Sequence, residues 1–388
     1  MKARGVHLRY GFEATDQRGA TLHNPLFDLL QAVHEQGSIQ QAARALGSSY
    51  RHVWGALKRW EATMGEPLVA WAQGQPARLT PFADRLLWAE TRARTRLTPH
   101  IEALRAELER VLVEAIDGSQ QVLTVHASHD LALPLLRELA SAQQRLHIDL
   151  RFAGSVDALQ ALARGRCLVA GFHVPALPPA RPVRGGAAPP APALFARAMK
   201  PLLQPGRHKL IGCARRCQGL MVASGNPLGI AGLADLVRRD GAPGPRFVNR
   251  QPGSGTRLLM DQLLADAGLA TDAIPGWKVA AEDSHLAVAA AVAGGSADVG
   301  PGIAAAAARF GLGFVPLVEE DYFLVCLKDA LEHPAVQLLR RALQAPQWLQ
   351  ALAELPGYRP SHSGEVLALT RALPWWRYRA PRASGQGG

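Results

Sequence analysis

From residue 24 to about 116 the apolar positions recur at three- and four-residue spacings with few prolines, which predicts an almost wholly helical stretch. Near Asp117 and Gly118 the pattern changes. Short apolar runs such as "QVLTVHAS", "LHIDLRFAG", "CLVAGFHV" and "GLMVAS" then alternate with helical stretches such as "LALPLLRELASAQQ" and "SVDALQALARG". Strands alternating with helices predict an α/β domain with a largely parallel sheet.

Within the helical part the punctuation is specific. Asn24 is placed to cap a helix with Pro25 in its first turn and Leu26, Leu29, Leu30 and Val33 on its apolar face. Gly37 ends it, Ser38 caps a second helix carrying Ile39, Ala42, Ala43 and Leu46, and Gly47 supplies the next turn. A third helix beginning near Ser49 puts Tyr50, Val53, Trp54 and Leu57 on one face and Ser49, Arg51, His52, Gly55, Lys58 and Arg59 on the other. Short polar groups at the N-terminal end and cations further along suit a helix that enters the major groove of DNA. "PLVAWAQGQPARLT" reads as two short strands around a turn, a wing whose Arg78 is placed to meet a phosphate. The candidate DNA contacts are therefore Ser49, Tyr50, Arg51, His52, Lys58, Arg59 and Arg78. A long helix from Pro81 to about Ile116 follows, with an apolar stripe of Phe82, Leu86, Leu87, Ala89, Ala93, Leu97, Ile101, Leu104, Leu108 and Leu112.

Composition narrows the class. Of 388 residues 48% are hydrophobic and 19% charged, and no apolar run reaches the length of a membrane span. The first residues are basic but have no apolar stretch behind them, so the reading is a cytoplasmic protein without a membrane partner. The net charge of +11 lies mostly in the second part: residues 1–117 carry 15 Lys and Arg against 13 Asp and Glu, and residues 118–388 carry 28 against 19. Residues 44–85 are nonetheless locally basic, with Arg44, Arg51, Lys58, Arg59, Arg78 and Arg85 against Glu61, Glu66 and Asp84. Four cysteines, with Cys213 and Cys217 in "CARRC", form no metal set, so reduced thiols and no metal or cofactor are expected. The segment 175–192 is too rich in proline, alanine and glycine for regular structure, and the end of the chain reads as a disordered tail.

Candidate chemistry gathers at strand-to-helix turns. "VNRQPGSGTR" lacks the lysine of a nucleotide phosphate loop and the third glycine of a dinucleotide fingerprint. It fits a helix N-terminus that binds an anion through free N–H groups, Ser254, Gly255 and Thr256, with Arg250 and Arg257 adding charge. Ser128 and His129 in "HASHD", Gly154 and Ser155 in "FAGSVDAL", and Asp283, Ser284 and His285 in "AEDSHL" occupy equivalent turns. Four such turns predict a cleft between two α/β lobes. The candidate ligand contacts are Ser128, His129, Ser155, Arg250, Ser254, Gly255, Thr256, Arg257, Ser284 and His285.

Two resemblances follow from these motifs. "GSIQQAARALGSSYRHVWGALKRWE", "GEPLV" and "RLTPFADRLL" resemble the winged-helix domain shared by molybdate-responsive regulators of the ModE type and LysR-type regulators, over residues 24 to about 90. "GSVDALQALARG", "FVNRQPGSGTRLLMDQLL" and "HLAVAAAVAGGSADVGPGI" resemble the periplasmic-binding-protein-like domain of molybdate-type regulators and some molybdenum-cofactor proteins, over roughly residues 122–327. The resemblance implies a winged helix-turn-helix at residues 1–80, a dimerisation helix at 81–117, a two-lobed sensor at 118–375 and a tail at 376–388. It implies a one-component transcriptional regulator that binds double-stranded DNA as a homodimer or higher oligomer and senses a small anion. Molybdate or tungstate is expected first, a small carboxylate such as formate second. The alternative, an enzyme of molybdenum-cofactor metabolism, requires an acid/base pair or activated nucleophile, for which His129, His285, Asp283 and Ser254 are the only candidates. No catalytic residue is assigned.

Overall fold

The computed structural model describes residues 24–70, 76–116, 120–176, 194–237, 244–279 and 281–376, with the side chains of residues 112–116 left aside. The segment 175–192 beyond Ala176, the tail beyond Trp376, and Leu112 of the long stripe lie outside what is described.

Helix α1 (Pro25–Gln36) starts where the Asn24 side chain accepts from the Leu26 N–H at 3.2 Å, and ends at Gly37, whose φ of 60° a side chain would oppose. Ser38 caps α2 (Ile39–Ala45), and Ser49 caps α3 (Tyr50–Met64) by accepting from His52 N–H at 3.2 Å. Strands β1 (Val69–Ala70) and β2 (Arg78–Leu79) pair antiparallel as a wing whose tip, 71–75, is not described. Leu30, Val33, Ala42, Val53, Leu57 and Leu68 form the core of this unit, joined by Ala83 and Leu87 from the start of α4 (Pro81–Ile116). Two expected core positions face out instead. Leu46 falls just past the end of α2 and is 39% exposed, and Tyr50, in the first turn of α3, is 49% exposed and stacks on Trp54.

At 36 residues α4 spans about 54 Å. Its inner face, Thr91 and Ala106 among the buried positions, packs on the following domain. Trp88 lies against Phe310 and over Gly294, where an added Cβ would come within 2.9 Å of the Trp88 Cβ. Much of the expected stripe is on the other side: Ala89 and Ala93 are exposed, as are Leu97 at 45% and Leu104 at 40%.

The second domain runs β3 (Gln121–Ala127), α5 (Leu133–Gln144), β4 (Leu146–Phe152), α6 (Ser155–Ala163), β5 (Val169–Pro175), α7 (Leu194–Met199), β6 (His208–Val222), β7 (Asn249–Arg250), α8 (Gly255–Asp266), β8 (Ala281–Glu282), α9 (His285–Ala293), β9 (Val299–Ile303), α10 (Ala304–Arg309) and β10 (Gly313–Leu327). It closes with α11 (Pro334–Gln344), α12 (Pro346–Glu354), β11 (Tyr358–Pro360), β12 (Val366–Ala368) and α13 (Leu369–Ala372). Strands β4, β3 and β5 are parallel neighbours, as expected from the alternation, but the eight-stranded sheet as a whole is mixed. Strands β6 and β10, 15 residues each, pair antiparallel along almost their whole length and bring β9, β11 and β12 in antiparallel as well. The alternation of strand and helix cannot foresee this, because direction depends on which lobe each strand joins. β6 carries the chain out of the first lobe and β10 brings it back. One core surrounds Leu123, Ile148, Leu324 and Trp348; another, in the second lobe, surrounds Phe247, Met260 and Trp277. The crevice between the lobes opens at the carboxyl ends of β3 and β4.

Candidate functional site

The outward face of the winged unit presents Tyr50, Arg51, His52, Lys58 and Arg59 on α3 and Arg78 on β2, all exposed. Lys58 is held between Glu61, at 2.7 Å, and the Trp54 ring, whose centroid lies 4.8 Å away. Glu61 also accepts the N–H groups of Leu68 at 2.9 Å and Val69 at 3.4 Å, so it ties the base of the wing to the helix. Burial works to raise its carboxyl pKa, but Lys58 and those N–H groups outweigh it and hold the group lowered. Ser49 differs from its neighbours: its hydroxyl is committed to capping α3.

All four strand-to-helix turns singled out in the sequence meet in one cavity of roughly 210 Å³. Ser128 and His129 follow β3, Gly154 and Ser155 open α6, Arg250 to Thr256 lead from β7 into α8, and Asp283 and His285 lead from β8 into α9. The beginnings of α6 and α8 touch across the crevice. A Cβ on Gly255 would lie 3.0 Å from Ser155 Oγ, and one on Gly154 would lie 3.1 Å from the Gly253 carbonyl oxygen. The "PGSG" glycines are thus explained by Gly253 at φ +84° and by the close approach at Gly255. Three helix N-termini therefore point their free N–H groups and positive dipole ends at the same space.

The hydroxyls divide by task. Ser254 caps α8, accepting from Arg257 N–H at 3.2 Å and donating to the Gln251 carbonyl at 2.9 Å. Thr256 Oγ1 accepts from Gln218 Nε2 at 2.9 Å, which leaves its proton free to donate. Ser155 Oγ, in a residue wholly buried, has no partner. Two of the expected contacts do not line the cavity. Ser284 caps α9 through Ala287 N–H at 3.1 Å, and Arg257 turns away to Asp261 at 3.0 Å and the Trp277 ring at 4.7 Å.

Arg250 is the central cation. It is 4% exposed, its Nε donates to the Glu282 carbonyl at 3.2 Å and its Nη2 to the Asp283 carbonyl at 2.7 Å, while Nη1 has no partner. Burial, then the charge of Arg216, pulls its pKa down to about 10, so it is still a cation at neutral pH. His129 is lowered to about 4 by burial and then by Arg250, and His285 and His173 are lowered by burial and nearby guanidinium groups. All three imidazoles are neutral at pH 7.

Residues that the motif pattern did not single out complete the floor: His173 on β5, Arg216 on β6 and Glu320 on β10, with Pro99 and His100 of α4 at one side. Arg216 and Glu320 are direct cross-strand partners and pair at 2.5 Å, and Arg216 also meets Asp130 at 2.6 Å. Burial opposes the charge on Asp130, but Arg216 and His173 outweigh it and hold the carboxyl far below its usual range. The available signal was a charged or imidazole side chain inside an otherwise apolar strand, in "CARRC", "GFHV" and "VEEDYFLV", since a buried charge requires partners.

Ser128 Oγ lies 2.8 Å from His173 Nδ1, and His173 Nε2 lies 3.3 Å from Asp130 Oδ2, a Ser–His–Asp chain that uses the two ring nitrogens the opposite way round from serine hydrolases, where Nε2 faces the serine. The same Asp130 oxygen is, however, closer to Arg216 and also accepts from the Tyr358 hydroxyl at 2.9 Å. Arg216 and Tyr358 thus hold this carboxylate more closely than His173 does. Among the described residues no group of His, Cys, Asp and Glu side chains is disposed to hold a metal ion, and no helix is long and apolar enough to cross a membrane.

Fold and cavity together define a two-lobed ligand-binding domain carried behind a winged helix. Residues 136–344, more than half of the chain, match the PBP superfamily domain, and residues 26–84 match the bacterial regulatory helix-turn-helix protein family of the lysR type. The chain belongs to the PBP superfamily and is a DNA-binding LysR-type transcriptional regulator with an effector-binding domain. LysR-family regulators are transcription factors, which sets aside the alternative of a molybdenum-cofactor enzyme.

The uncharacterized protein YvgK of Bacillus subtilis (strain 168) is 28% identical over 255 residues, covering 66% of this chain and 76% of its own length. An uncharacterized protein in the ferredoxin 2Fe-2S gene 5'region of Clostridium pasteurianum is 30% identical over 115 residues, 28% of this chain and 97% of that one. Among solved structures, full-length LysG from Corynebacterium glutamicum with bound effector arginine has 18% identity and a TM-score of 0.38, covering 82% of this chain and 96% of that one. Full-length CbnR complexed with its target DNA has 17% identity and a TM-score of 0.35, covering 82% and 98%.

Proposed function

We propose that the regulator senses a small anion bound between the lobes, with molybdate or tungstate as the first choice and a small carboxylate such as formate as the second. The observation that carries this reading is the buried Arg250, whose Nη1 has no partner, on a cavity that also holds the unpartnered Ser155 Oγ. The carbonyls and carboxylates around Arg250 offset its burial only in part, and an anion at Nη1 gains its charge together with three helix N-termini. Ser128, His129, Ser155, Arg250, Gly255, Thr256 and His285 are its proposed surroundings. The oxyanion preference rests on the motif resemblance and the hydroxyl-rich turns.

In this reading residues 1–80 read DNA through Arg51, His52, Lys58, Arg59 and Arg78, residues 81–117 pair two subunits, and residues 118–375 sense the effector. The pairing is supported by Leu97, Leu104 and Val111, exposed at intervals of seven along α4, a spacing that returns to one side of a helix and suits a second copy of it. Reading DNA places the protein's work in the cytoplasm. The test is thermal unfolding of the full chain against molybdate, tungstate, sulfate, phosphate and formate. A ligand at 100 times its dissociation constant adds about 2.7 kcal/mol. A selective rise with one anion supports the reading and names the effector; no rise with any of them overturns it.

A further inference from the structure

The lobes alone do not enclose the cavity. Pro99 and His100 of α4 line it, so the helix that carries the winged unit is one of its walls. Pro99 has no N–H to return to the Thr95 carbonyl, so the helical ladder is interrupted where it passes the cavity. One turn earlier, Arg96 makes a two-pronged contact with Glu282, Nε to Oε2 and Nη2 to Oε1, both at 2.6 Å. The Glu282 carboxylate is buried, while Arg96 is about half exposed. The backbone carbonyls of Glu282 and Asp283 are the two groups that hold Arg250. The Arg250 guanidinium is therefore joined to α4 by hydrogen bonds at either end of Glu282, whose carbonyl holds Arg250 and whose carboxylate holds Arg96. A second pair, Glu102 with Arg137 at 2.7 Å, fixes the helix just beyond His100.

We propose that α4 is a working wall of the effector cavity: His100 contacts the bound anion, and the Arg96–Glu282 pair transmits its arrival to the helix that bears the DNA-reading unit. This rests on the anion reading of the cavity. An anion on Arg250 draws the guanidinium toward the cavity and re-aims the 282–283 peptide that holds it. Because Glu282 is clamped to Arg96, α4 moves with that peptide or the clamp opens. Either response gives the ligand a differential affinity for two helix positions, which a switch requires. His100 is a contact residue in this scheme, and Arg96 a positioning residue outside the cavity.

The experiment is hydrogen exchange of residues 88–104 in the full chain, with and without molybdate, tungstate and formate, alongside binding titrations. For the anion that raises the unfolding temperature, exchange in this segment changes several-fold in the wild type. Arg96→Ala keeps the anion affinity within about threefold but loses that change, and Arg96→Lys restores part of it. His100→Ala weakens the anion by about tenfold, the worth of one charge-assisted hydrogen bond. An undiminished exchange response in Arg96→Ala, or an unchanged affinity in His100→Ala, overturns the proposal. If no anion binds, the functional reading fails while the link is still testable. Arg250→Met, or Arg250→Lys should the first not fold, then removes or shifts the cavity cation without ligand. It should alter exchange at 88–104 in the wild-type background and not with Arg96→Ala; an equal effect in both sinks the link.

Discussion

Arg250→Met separates the anion reading from ordinary structural roles. The fall of the arginine pKa from 12.5 to about 10 corresponds to roughly 3 kcal/mol of unfavourable burial for the cation. Methionine removes that cost but strands the Glu282 and Asp283 carbonyls, each worth roughly 1–3 kcal/mol when left unsatisfied. The two effects oppose each other, so the ligand-free variant should unfold within a few degrees of the wild type. Binding has no such compensation. Loss of a charge-assisted hydrogen bond costs roughly 1.5–3 kcal/mol, about 50-fold in the middle of that range. At a concentration that saturates the wild type 100-fold and stabilises it by about 2.7 kcal/mol, the variant gains only about 0.7 kcal/mol. For a domain of this size that is a rise of about 5–10 °C against about 1–3 °C. Differential scanning fluorimetry with the anion identified in the wild type reads both numbers. Equal rises in the two proteins would refute the role given to Arg250.

Three further outcomes follow. Because burial lowers His129 to about 4 and also lowers His173 and His285, the unfolded chain binds more protons than the folded one below their ordinary value near 6.5. Stability is then fully present above pH 6.5 and falls as pH drops below it, by about 1.4 kcal/mol per pH unit toward pH 4 from His129 alone and further in the same direction from His173 and His285, so a flat denaturation midpoint between pH 7 and pH 5 would contradict the buried neutral imidazoles. Replacing Arg51 and Arg59 with alanine should weaken binding to a selected operator and flatten its salt dependence by about one unit of slope per lost phosphate contact, with the thermal response to anion unchanged. Leu97→Glu with Leu104→Glu should lower the mass seen in sedimentation from the assembled to the single-chain species while leaving the anion response intact; an unchanged mass removes α4 as the pairing element.

The winged unit was almost fully legible in the amino-acid sequence because its signals are local. Asn24, Gly37, Ser38, Gly47 and Ser49 mark helix ends through bonds to residues two to four positions away, and the apolar spacing between them fixes the faces. Tyr50 and Leu46 escaped because a helix face is only approximate at its first and last turns. The four strand-to-helix turns were legible for the same reason: a small hydroxyl residue ahead of an apolar helix is a capping signal wherever the chain later takes it. Only the tertiary structure decided what each hydroxyl does. Ser254 and Ser284 are caps bonded to residues three positions away, whereas Thr256 took Gln218 from strand β6 and Ser155 was left without a partner where α6 meets α8, outcomes set by elements distant in the chain. The direction of the long strands, the pairing of Arg216 with Asp130 and Glu320, and the arrival of Pro99 and His100 at the cavity also join residues many tens of positions apart. Local periodicity records which face of an element is apolar, whereas the partner of a buried charge is fixed by the path of the whole chain.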